Sequence, residues 1–174
     1  MSSTKISVTV KEKNPNYAYD LKTVLKDLTS RKVVAGFPKG KLNAPHYQFK
    51  WARRKEENDP PYPSIIDVAI KNNFGIGVPR RDFMGVAAQK WQKEWQDNLE
   101  KVQDGMAKGH MDVEKFLHTM GQAGASLISK TIRDWTTPPN SPYTVKMKGS
   151  NNPLVDSGDM KNAPRYELRE ARKE

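Results

Sequence analysis

Residues 82–104, DFMGVAAQKWQKEWQDNLEKVQD, and 112–135, DVEKFLHTMGQAGASLISKTIRDW, decide how this chain is read. In the first stretch Met84, Ala87, Ala88, Trp91, Trp95, Leu99 and Val102 recur at three- and four-residue steps, the spacing of one apolar helix face. In the second, Val113, Phe116, Leu117, Met120, Gly124, Leu127, Ile128, Thr131, Ile132 and Trp135 do the same. Asp112 is placed to cap the second helix, and Gly105 and Gly109 punctuate the short link between the two. Two long amphipathic helices joined by a short link predict an antiparallel helical hairpin.

Working outward, a short helix follows Pro63, with Ser64 as N-cap and Ile65, Ile66, Val68, Ala69 and Ile70 as its apolar set. It ends near Asn72-Asn73, before the turn Phe74-Gly75-Ile76-Gly77-Val78-Pro79. Further upstream, Lys5–Val10 alternates polar and β-branched residues and reads as a strand. Tyr17–Leu28 has helical spacing, and Arg31–Phe37 returns to strand character. Downstream, Pro138, Pro139 and Pro142 predict an extended surface segment rather than helix. Pro164–Glu170 reads as a last strand, and residues 161–174 as a partly mobile tail. The order β-α-β-(arm)-α-α-α-β predicts a single α+β domain over residues 1–174, with a small β-sheet packed against the helical hairpin.

Residues 39–62 break every period. From Arg31 to Lys55 there are eight Lys or Arg and no Asp or Glu. This predicts a basic arm or hairpin insertion. Within it Tyr47, Phe49 and Trp51 alternate with Gln48 and Lys50, just before Arg53, Arg54 and Lys55. Such interleaving suits stacking on bases, burial in a protein groove, or a hairpin strand packing on its own domain.

Composition narrows the chemistry. The 174 residues carry a net charge of +10, which attracts nucleic acid, acidic protein faces or anionic lipid. Only 36% are hydrophobic, and mean hydropathy is -0.84. There is no cysteine, which excludes disulfides, thiolate metal sites and cysteine nucleophiles and fits a reducing compartment. Neither a signal-peptide pattern nor an apolar run of the roughly 18 residues of a membrane span is present, so no membrane association is expected.

His46, His110 and His118 lie in unrelated contexts without zinc-ligand spacing. Gly75-Ile76-Gly77 lacks the third glycine and preceding strand of a nucleotide loop. Ser157 lacks a nucleophile elbow, and Asp20, Asp27, Asp67 and Asp82 are scattered rather than clustered. Catalytic residues, metals and cofactors are therefore expected to be none. Trp91, Trp95 and Trp135 are expected in the core.

One set of motifs is more specific. Ala69-Ile70-Lys71-Asn72-Asn73-Phe74-Gly75 followed by Val78-Pro79-Arg80-Arg81-Asp82-Phe83-Met84 resembles the helix, N-x-F-G, I-P-x-R-x-F signature of tailed-bacteriophage tail-completion and virion-morphogenesis proteins. In the same order come the two helices, Pro138-Pro139-Asn140-Ser141-Pro142-Tyr143-Thr144, Lys148-Gly149, and Pro153-Leu154-Val155-Asp156-Ser157-Gly158-Asp159-Met160. These are similar to that family's PPN-x-P-x-T, KG and PL-V/I-D-T/S-G blocks. The similarity spans residues 65–166. The basic insertion, and Asp82 beside a position where the pattern often has proline, depart from it.

The resemblance implies a structural virion protein forming a homo-oligomeric, sixfold ring at the head–tail junction or the head-proximal end of the tail. It implies neighbouring neck, connector or tail-tube proteins as partners and contact with DNA in the channel. It also implies a place in the virion neck or tail, with the host cytoplasm as the site of assembly. Interface candidates are Trp51, Arg53, Arg54 and Lys55 in the arm, Arg80 and Arg81 toward a neighbour's carboxylates, and Phe83, Pro138, Pro139 and Leu154. For each motif the competing reading is that it holds one monomer together. The rival function is a basic nucleic-acid-binding protein without catalytic activity. A phage nuclease or peptidoglycan hydrolase lacks a credible catalytic constellation.

Overall fold

A computed structural model describes Thr23 and residues 26–37, 63–107 and 112–171. The expected Lys5–Val10 strand and the basic arm lie outside them. Of the expected Tyr17–Leu28 helix, Thr23 and residues 26–28 are described and helical, and the helix continues to residue 30.

The described elements are β1 (Arg31–Gly36), α1 (Ile65–Phe74), α2 (Phe83–Ala107), α3 (Val113–Arg133), α4 (Pro142–Lys148), α5 (Asp159–Asn162) and β2 (Arg165–Glu170). This is an α+β arrangement. The two strands pair antiparallel, with Arg31 opposite Glu170 and Gly36 opposite Arg165. β2 thus occupies six residues of the segment expected to be a partly mobile tail.

Local chemistry explains the boundaries. Ser64 caps α1 in a reciprocal box: its hydroxyl accepts from the Asp67 amide, and Asp67 Oδ2 accepts from the Ser64 amide at 2.9 Å. Those bonds hold the Asp67 carboxyl below its ordinary pKa. The helix stops at Gly75, whose φ of 76° is left-handed. The first turn of α2 is satisfied from two directions. The Gly85 amide donates to Asp82 Oδ1 and the Met84 amide to Asn73 Oδ1, each at 3.0 Å. Asp112 caps α3 by accepting from the Lys115 amide.

α4 departs from expectation. The proline run predicts an extended segment rather than helix, yet α4 begins at Pro142, with Ser141 as N-cap and Gly149 ending it. The reason is positional. A first-turn amide has no intrahelical acceptor, so proline loses nothing there, and its fixed φ already suits a helix.

Phe83 and Ile132 are fully buried at the centre of a cluster with Ala69, Ala87, Ile128, Leu154 and Met160, so α1, α2, α3 and the returning chain share one core. Phe37, just beyond β1, sets its ring edge-on to Phe83 at 6.2 Å. Away from this core, Trp91 Nε1 donates to the Met120 carbonyl at 2.8 Å, and Trp95 stacks edge-on against Phe116 at 5.4 Å. α3 approaches closely because Gly124 faces Trp91; a Cβ there would fall 2.6 Å from Trp91 Cε2. Two expected members of the α2 stripe, Ala88 and Leu99, are exposed. Ala88 sits about 100° around the helix from the buried Ala87.

Candidate functional site: a three-segment cleft

Three stretches distant in sequence meet at one cleft of about 390 Å³. α1 and the turn after it contribute Val68, Asn72, Val78 and Arg81; the proline segment and α4 contribute Pro139, Asn140, Thr144 and Lys148. The returning chain adds Pro153, Leu154 and Asp156. These are the motif blocks singled out by sequence, and folding brings them together.

Arg81 is the tie. Its guanidinium donates from Nη1 to Asn72 Oδ1 at 2.9 Å, from Nε to the Pro138 carbonyl at 3.1 Å, and from Nη2 to the Pro139 carbonyl at 3.4 Å. Its own amide donates to the Asn72 carbonyl at 2.8 Å. It is 4% exposed, and burial lowers its pKa from the ordinary arginine value. Rigid, forked geometry lets one cation serve three acceptors on two segments.

Asn152 organises the other wall. Its Oδ1 accepts from the Leu154 and Val155 amides, its Nδ2 donates to the Arg133 carbonyl, and its own carbonyl accepts from Asn140 Nδ2 and Lys148 Nζ. Burial pulls the Lys148 ammonium below the ordinary lysine range; Asp156 opposes that shift and Arg81 adds to it. Asp156 Oδ2 is buried without a hydrogen-bond partner among the described residues.

The interface candidates divide. Trp51, Arg53, Arg54 and Lys55 lie outside the described residues. Arg81, Phe83 and Leu154, offered as interface candidates, are interior instead, in line with the competing reading that they hold the monomer together: Arg81 bonds within its own chain, while Phe83 and Leu154 fill the core. Arg80 remains at the surface, paired with Asp82 at 3.0 Å. Pro138 is half-buried and Pro139 exposed. Trp91, Trp95 and Trp135 are half-buried and pack inward, Trp135 against the core cluster and Trp91 and Trp95 against α3. His118 lies on the exposed side of α3, where its Nδ1 meets Tyr166 Oη at 3.0 Å.

Next in sequence to the cleft's lining residues stand several exposed apolar side chains. Phe74 and Ile76, just before Val78, are 64% and 54% exposed; Tyr143, next to Thr144, is 71% exposed. Ile70 and Met147 are exposed as well. Each belongs to a helix or motif in the sequence, and its exposure is a tertiary outcome. Among the described residues no group of three His, Asp or Glu side chains is placed to hold a metal ion, and no helix is long and apolar enough to cross a membrane.

Set against protein-family models, curated proteins and solved structures, the chain has no match in any of the three comparisons.

Proposed function

We propose that this chain is a non-enzymatic assembly subunit, whose work is to bind other protein subunits through a preformed face. More particularly, we read it as a virion component of a tailed phage, forming a homo-oligomeric ring at the neck or the head-proximal end of the tail. The observation that carries this reading is the convergence of the three motif blocks on one cleft, with Phe74, Ile76 and Tyr143 exposed next in sequence to its lining. Large apolar side chains left in water next to a stiff, hydrogen-bonded frame suit a protein interface. In this reading α2 and α3 form an antiparallel helical hairpin that keeps the cleft rigid, so little ordering entropy opposes docking. Heterologous contacts between identical subunits would close the ring.

The test is genetic complementation with a double Phe74→Glu, Ile76→Glu variant. Both side chains are largely exposed, so the purified variant should melt like the parent. Particle joining and infectivity should nonetheless be lost. Full infectivity from the double variant would overturn the reading.

A further inference from the structure

A second surface has the opposite chemistry. α3 presents Gln122, Ser126, Ser129, Lys130 and Arg133 to an open groove of about 690 Å³. Its other wall is Lys161 and Asn162 at the end of α5, then Arg165 and Tyr166 at the start of β2. Four cations line this groove and no carboxylate does. Arg133 is partly neutralised by Asp134 alongside, at 2.8 Å. Lys130 and Lys161 make no side-chain hydrogen bond or ion pair among the described residues. Arg165 uses Nη1 to donate to the Asn162 and Pro164 carbonyls at 2.7 and 2.8 Å, which fixes its guanidinium at the groove wall.

We propose that this groove binds the phosphodiester backbone of duplex DNA. Its lining consists mainly of cations, hydroxyls and carboxamides, the groups that contact phosphate and sugar without reading sequence. Tyr166, half-buried with its hydroxyl 3.0 Å from His118 Nδ1, is the one aromatic residue in its lining, and no Phe, Trp, Leu, Ile or Met joins it there. From Gln122 to Arg133 the α3 wall runs about 16 Å, the axial rise of roughly five nucleotides of one strand. The net charge of +10 supplies the long-range attraction. Because DNA binding is a property of the isolated chain, the proposal does not rest on the assembly reading, and either can fail alone.

The experiment is fluorescence anisotropy of the full-length protein with a labelled mixed-sequence duplex of about 20 base pairs, titrated across roughly 50–200 mM salt. The triple variant Lys130→Gln, Lys161→Gln, Arg165→Gln should lose affinity on the order of a hundredfold at ~0.1 M salt. Its log–log salt slope should become shallower by roughly 2 to 3, about 0.9 for each phosphate contact removed. Ser126→Glu, an exposed change to a good helix former that adds a carboxylate, should weaken binding in the same direction. Melting temperatures of both variants verify the fold. A parallel Arg53→Gln, Arg54→Gln, Lys55→Gln variant separates the basic stretch from the groove. If the groove variants bind duplex like the parent, the proposal is overturned, whatever the basic stretch does. If polyglutamate of matched charge displaces the duplex as well as unlabelled DNA does, the groove is an acidic-protein surface and the proposal is equally overturned.

Discussion

Arg81 and Asn152 do at the scale of single residues what a longer sheet does in other α+β domains: they join segments that share no ladder. Removing the Arg81 guanidinium leaves Asn72 Oδ1 and two carbonyls without their donor. Arg81→Met is expected to destabilise the protein by about 2–3 kcal/mol, measured by denaturant unfolding. Arg81→Lys should recover only part, since one ammonium lacks the planar fork that spans three acceptors. A loss indistinguishable from zero would mean that the cleft is not held from this point. The sequence made Arg81 conspicuous without indicating its direction. An arginine after proline at a helix start reads as surface, and only the proline segment folding back encloses it. Asn152 carried no signal of its wider role: its bonds to the Leu154 and Val155 amides are local, but the Arg133 carbonyl and the Asn140 side chain, 19 and 12 positions away, become its partners only on folding.

Helices were legible wherever burial on one face imposed a period, and illegible where caps alone define them. α2 and α3 carry long stripes, so their limits follow from the sequence to within a few residues, and Asp112 and Ser64 act as caps where expected. α4 is seven residues long with no buried side chain, so no period existed to be found; its signal is the Ser141-Pro142 start and the Gly149 stop. Two expectations belong at this level. Gly124→Ala should force Trp91 away from α3 and cost roughly 1–3 kcal/mol by denaturant unfolding, whereas alanine at an unobstructed helix site would stabilise. The α1 capping box gives a pH signature. The folded Asp67 pKa is depressed, so its contribution is present above the unfolded value and disappears as pH falls through the folded one. Melting curves of the parent and Asp67→Asn should therefore differ at neutral pH and converge as pH drops below about 4. A gap that stays constant over that range would remove the carboxylate from the account.

At the scale of the whole molecule, two sites of different chemistry emerge from one fold: the three-segment cleft, with exposed apolar side chains next in sequence to its lining, and a donor-rich basic groove. The blocks that form the cleft were visible in the sequence by their order, but not their meeting, which requires α3 to carry the chain back past α1. The basic groove was not visible, since Lys130 and Arg133 stand about 30 positions from Lys161 and Arg165 and no run of charge marks them. If the chain joins virion parts, as proposed, electron microscopy of lysates from a phage lacking this gene tests that role most directly. The account predicts filled heads beside separate or over-long tails, restored to joined particles when the gene is supplied in trans. Intact, normally joined particles in the deletion lysate would contradict it.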